Sequence, residues 1–105
     1  MTRYAKRVDE TQAEIVAALR AAGTCVWILG LPCDLLVGVN GHTVIVECKS
    51  LTGKKNPKPK NYTELQKDFM ANWTGGPVVT LTDADGAHRL VAMLKGLPVR
   101  AGVTL

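Results

Sequence analysis

The chain has 105 residues, 47% of them hydrophobic, with a formal net charge of +4 and three cysteines. That length and apolar content fit one globular domain with a modest core. No apolar run approaches membrane length, no secretion-signal core opens the chain, and the cysteines form no Cys-x-x-Cys pair. A cytoplasmic protein with reduced thiols is therefore expected, without a membrane span or a zinc site.

Residues 1–7 are basic and polar (Arg3, Lys6, Arg7) and read as an N-terminal arm. From Asp9 to Ala22 the pattern is helical: Val8, Ile15, Leu19 and Ala22 recur at helical spacing, and Gly23 supplies a C-cap. On this helix Gln12 falls one turn before Ile15 and so on the inward side, while Glu14 falls off it. Thr24 to Leu29 reads as a strand, broken by Gly30-Leu31-Pro32.

The stretch from Pro32 to Lys49 reads as a β-hairpin. Asn40-Gly41 is a strong signal for a two-residue turn with positive φ at both central positions. Its flanks are rich in Val, Ile and Leu, as in strands buried on both faces. With that turn, Val39 pairs with His42, Leu36 with Ile45 and Asp34 with Glu47. Directly opposed Cβ atoms lie roughly 4.5–5.5 Å apart. Alternation then puts Asp34, Glu47 and Lys49 on one face and the Cys48 side chain on the other. A lone Glu-x-Lys on a strand usually marks a solvated face. Here the acids interrupt apolar strands and face each other, so their repulsion calls for a compensating charge. Lys49 can supply part of it, and a divalent cation such as Mg²⁺, which takes carboxylate oxygens, can supply more.

Ser50 to Asn61 reads as an extended loop carrying Lys54, Lys55, Lys58 and Lys60, with Pro57 and Pro59 excluding helix. A second helix begins at Thr63, where Thr63-Glu64-Leu65-Gln66 matches a capping box. It carries an apolar stripe of Leu65, Phe69 and Trp73 and ends at Gly75-Gly76. Val78 to Thr82 is a short buried strand. Asp83 or Asp85 caps a third helix running to about Leu94, which Gly86 weakens. Residues 96–105 form a tail in which Val99 to Leu105 is a candidate strand. His42 and His88 read as structural or solvated. Trp27 and Trp73 read as core, and the low aromatic content argues against single-strand binding by base stacking. The order helix, three strands, helix, strand, helix predicts a single small α/β domain over residues 8–95, with a mixed sheet flanked by helices.

These pieces together resemble the PD-(D/E)xK nuclease superfamily, and within it small phage-type VRR-NUC and Holliday-junction-resolvase-like nucleases. The resemblance rests on Asp9 to Val16 with Ala18 to Gly23, Pro32 to Gly38, Val46-Glu47-Cys48-Lys49 and Tyr62 to Gln66, and spans roughly residues 8–95. It implies a restriction-endonuclease-like αβββαβ core and a metal-dependent endonuclease acting on branched DNA, working as a homodimer. It implies that Asp34, Glu47 and the Cys48 carbonyl hold Mg²⁺ or Mn²⁺, that Lys49 serves the attacking water, and that Gln66 faces the site. The capping box alone would also account for Gln66. The chain departs from the family in that Cys33 stands between Pro32 and the acid. It also has Gln12 where the first helix often carries a glutamate. Lys54, Lys55, Lys58 and Lys60 would contact DNA phosphates, or else form a solubilising loop. The alternative function is a catalytically inactive DNA-binding or interaction module of the same fold. A phage-encoded protein acting in the host cytoplasm is compatible with this reading.

Overall fold

The first helix, α1, spans Arg3–Ala21. Nothing between Arg3 and Val8 breaks a helix, so α1 starts within the stretch read as an arm. Its buried stripe is Ile15, Val16 and Leu19. It ends where Gly23 turns into the left-handed region at φ 92°. The Gly23 amide donates to the Arg20 carbonyl at 3.0 Å and the Thr24 amide to that of Leu19 at 3.2 Å. A computed structural model gives the backbone of residues 3–52, 58–59, 61–100 and 102, and the side chains of residues 10–51, 61–100 and 102.

Three strands follow: β1 (Cys25–Ile28), β2 (Leu35–Val39) and β3 (His42–Cys48). The turn between β2 and β3 is the expected one, with Asn40 at φ 55° and Gly41 at φ 80°. Val39 pairs with His42 and Leu36 with Ile45, as the residue count requires. The loop beyond β3 holds a short antiparallel pair, β4 (Leu51–Thr52) with β5 (Lys58–Pro59). Helix α2 (Glu64–Asn72) starts in a complete capping box at Thr63 and Gln66. Strand β6 (Val78–Leu81) joins the sheet parallel to β3, and α3 (Ala84–Lys95) closes the fold behind an Asp83 N-cap.

The result is a small α/β domain with three helices and a mixed four-stranded sheet in the order β1-β2-β3-β6. Helices α1 and α3 lie on one face of the sheet. Ile15 and Leu19 of α1 and Ala87, Leu90, Val91 and Leu94 of α3 form a closed core with Val26, Leu35, Val37, Val44 and Val46. The two helices cap one another: the Glu14 carboxylate accepts the Ala84 amide at 3.1 Å, and Lys95 donates to the Ala22 carbonyl at 2.6 Å. They therefore run side by side in the same direction.

The other face is only partly covered by α2. This corrects the expectation of strands buried on both faces: Leu36 and Ile45 are half-buried. Trp27, paired with Leu36 on the edge strand, is 70% exposed, and Trp73 is 43% exposed. Neither belongs to the core, because no element among the described residues lies over β1 on that side and Trp73 sits at the C-cap of α2. The stripe Leu65, Phe69 and Trp73 accordingly borders a surface groove. After α3 the chain crosses the hairpin tip: the Arg100 amide donates to the Asn40 carbonyl at 2.8 Å, and the His42 ring bonds the Pro98 carbonyl at 2.5 Å. Residues 99 and 100 form no strand. The rest of the candidate strand lies outside the described residues, apart from Gly102.

Candidate active site

The β2–β3 ladder ends at the pair Leu35 and Val46. One step further, side chains take over from backbone. The Asp34 amide donates to Glu47 Oε1 at 3.2 Å, and the Cys48 amide donates to Asp34 Oδ2 at 2.8 Å. Asp34 itself is anchored by the bend before it, where the Leu29 and Gly30 amides both point at its carbonyl at 2.7 and 3.4 Å. Cys33, which stands between Pro32 and the acid, is fully buried. Its neighbour Asp34 emerges on the opposite face, beside Glu47, so the intervening residue does not disturb the pairing of the acids.

Glu47 is 2% exposed and takes two further donors on Oε2. Gln66 Nε2 lies at 2.5 Å and Lys49 Nζ at 3.3 Å. Gln66, 9% exposed, is the one residue of α2 that is buried among those described. Its carbonyl oxygen accepts from Lys49 Nζ at 2.8 Å and from the Thr63 amide at 3.0 Å. The capping box and the site-facing role are therefore one arrangement: the side chain that starts α2 also bridges the acid and the base. The Lys49 ammonium sits 5.4 Å from the centre of the Tyr62 ring, whose hydroxyl bonds Thr80 Oγ1 at 2.6 Å. Thr80 lies beside Glu47 on β6. Sequence reading gave Tyr62 and Thr80 no role, because their place depends on which strand β6 joins, and that has no local signal.

Two carboxylates against one ammonium leave the cluster short of positive charge. Burial, then the Asp34 charge, pushes the Glu47 carboxyl above its ordinary value; Lys49 and Gln66 oppose the shift in part. The Cys48 thiol, on the core side of β3, is pushed up to about 12 by burial and by the same two acids. Burial raises the Cys33 thiol as well. The cysteines are all free thiols, as expected from their spacing.

The donor set suits a hard divalent cation. It offers two adjacent carboxylates with unbalanced charge, and the described residues give protein donors to only one Asp34 oxygen. It does not form a closed cage: no group of three or more His, Cys, Asp or Glu among the described residues could hold a metal ion. Water and phosphate oxygens would have to complete the coordination, as they usually do for Mg²⁺. Cys48 meets Asp34 through its amide.

Asp34, Glu47, Lys49 and Gln66 are thus brought together, and Gln12 is not joined to them. Gln12 lies over a groove between α1 and β1 with Val16, Ala17, Arg20 and Ile28. Thr11 of α1 meets the chain just past β3, where its hydroxyl bonds that of Ser50 at 2.9 Å. Of the loop lysines, Lys58 has its backbone in β5. Its side chain, and Lys54, Lys55 and Lys60 altogether, lie outside the described residues. No helix among the described residues is long and apolar enough to cross a membrane. Comparison with protein families, curated proteins and solved structures gives no match for this chain.

Proposed function

We propose that the protein is a metal-dependent endodeoxyribonuclease that hydrolyses phosphodiester bonds in branched DNA. The observation that carries this reading is the joined set Asp34, Glu47, Lys49 and Gln66, in which two carboxylates, an ammonium and a carboxamide converge where a strand ladder ends. The order of α1, β1 to β3, α2 and β6 around a mixed sheet supports a restriction-endonuclease-like core.

In this reading Asp34, Glu47 and the Cys48 carbonyl hold Mg²⁺ or Mn²⁺. When bound, such an ion activates water and offsets phosphoryl charge. Lys49 stands 3.3 Å from Glu47, where it can orient the attacking water or balance charge on the scissile phosphate. Gln66 fixes the separation of Lys49 and Glu47 by bonding both. The positive net charge and the lysines of residues 54–60 would favour a DNA backbone, contacted without sequence preference. A homodimer would present two sites to a four-way junction, and the protein would work in the cytoplasm, whether of a cell or of a phage-infected host.

The test is cleavage of labelled junctions, flaps and linear duplexes with Mg²⁺ and with Mn²⁺. Glu47→Ala and Lys49→Ala should each lower cleavage at least a hundredfold while the protein stays folded and still binds DNA. Undiminished cleavage in either variant removes the assignment. The placement of Gln12 away from the cluster favours a second reading, an inactive DNA-binding module. It would be established by wild-type protein that binds branched DNA and cleaves none of the panel with either metal.

A further inference from the structure

The sheet face that carries the acidic cluster also carries four aromatic residues. Trp27 stands on β1, Tyr62 lies against Lys49 and Thr80, and Phe69 and Trp73 extend along α2 and its C-cap. Trp73 is exposed but fixed. Its indole N–H donates to the Gly76 carbonyl at 2.6 Å. Its ring stacks on Phe69 with centroids 5.3 Å apart. It also lies over Gly75, where a Cβ would come within 2.7 Å of Trp73 Cε2. An indole held in these three ways and still open to water is a preformed stacking surface.

Phe69 and Trp73 line a groove of about 540 Å³ whose apolar walls include Leu31 and Leu65. Its polar edge is Asp68 and Asn72, one helical turn apart, with Asn72 Nδ2 donating to Asp68 Oδ1 at 3.2 Å. Its lining lies close to the cluster along the chain: Leu31 precedes Asp34 by three residues, and Leu65 is next to Gln66.

We propose that this groove receives an unpaired base of the DNA strand that passes the Asp34–Glu47 cluster, which rests on the nuclease reading above. A base presents a flat apolar face for the Phe69–Trp73 pair and an edge of N–H and carbonyl groups for Asp68 and Asn72. The Asp68 carboxylate repels phosphate, so the base and not the backbone enters. A purely apolar protein segment would bury the Asp68 carboxylate with only the Asn72 amide as a partner. Branched DNA offers such bases at its crossover, where stacking is interrupted.

The experiment is fluorescence anisotropy with a labelled single-stranded oligodeoxynucleotide and with the blunt duplex of the same sequence, in EDTA. Trp73→Ala and Gly75→Ala should each raise the single-strand Kd roughly 5- to 100-fold. Trp73→Phe should raise it less, and the duplex Kd should stay within about twofold in all three. Leu31→Asp changes a side chain that is 72% exposed, so it keeps the fold and should weaken single-strand binding as well. An unchanged single-strand Kd in folded Trp73→Ala or Leu31→Asp overturns the proposal. Equal losses on duplex, or no single-strand binding by the wild type, do the same. Cleavage is scored separately: a wild type that cleaves nothing removes the nuclease reading, and the oligonucleotide affinities still decide the groove.

Discussion

Glu47 divides its carboxylate among the Asp34 amide, the Lys49 ammonium and the Gln66 carboxamide, yet its proton affinity is raised. Burial and Asp34 together outweigh the donors. The consequence for stability has a definite sign. Unfolded, the carboxyl titrates near its ordinary 4.5, and folded it titrates higher. The stabilisation from a protonated Glu47 is therefore complete below pH 4.5 and is lost as pH rises through the folded value. In chelator, thermal unfolding of the wild type and of Glu47→Gln should diverge accordingly, the wild type losing ground as pH rises through that window. Parallel profiles would show that Glu47 ionises freely. Gln66 shows how far one residue can be read in advance. Its spacing from Thr63 announced the cap, and only the approach of α2 to β3 revealed that the same amide bridges Glu47 and Lys49.

At the scale of elements, the ends of the helices tie the layers together. Asp83 Oδ1 accepts the Gly86 amide at 2.8 Å, and Glu14 accepts the Ala84 amide from across the α1–α3 contact. Asp83→Ala should cost about 1 kcal/mol in urea denaturation, the usual worth of an N-cap. A loss well below this would mean that Glu14 and water satisfy the helix start unaided. Glu14 was legible only as a residue off the buried stripe of α1, since its partner lies 70 positions away. The β2–β3 hairpin is the opposite case. Asn40-Gly41 sets the turn locally, the turn sets the register, and the register sets the meeting of Asp34 and Glu47.

For the whole molecule, the two faces of the sheet have different tasks. The face under α1 and α3 is closed and apolar, while the face under α2 carries the charged cluster and the exposed rings. Leu19, fully buried among these core residues, should therefore cost about 2–5 kcal/mol when changed to Ala, read as a fall in the denaturation midpoint. Leu65→Ala, at a half-exposed position on α2, should cost much less. Similar losses at the two positions would mean that α2 is part of the core. This asymmetry explains what the sequence concealed. Thr24 to Leu29 has the composition of a buried strand, and nothing local shows that β1 is an edge or that α2 leaves Trp27 uncovered. Core positions such as Ile15 and Leu19 follow from helical spacing, because amphipathic helices declare their own inner face.

The reciprocal bonds of Asp34 and Glu47 to the backbone opposite have one more implication. They act as the last two teeth of a zipper whose other teeth are peptide groups. A cation that drew either carboxylate away from its amide would leave a backbone donor of the facing strand unpaired. The Asp34 and Cys48 amides would therefore be the first to register such binding.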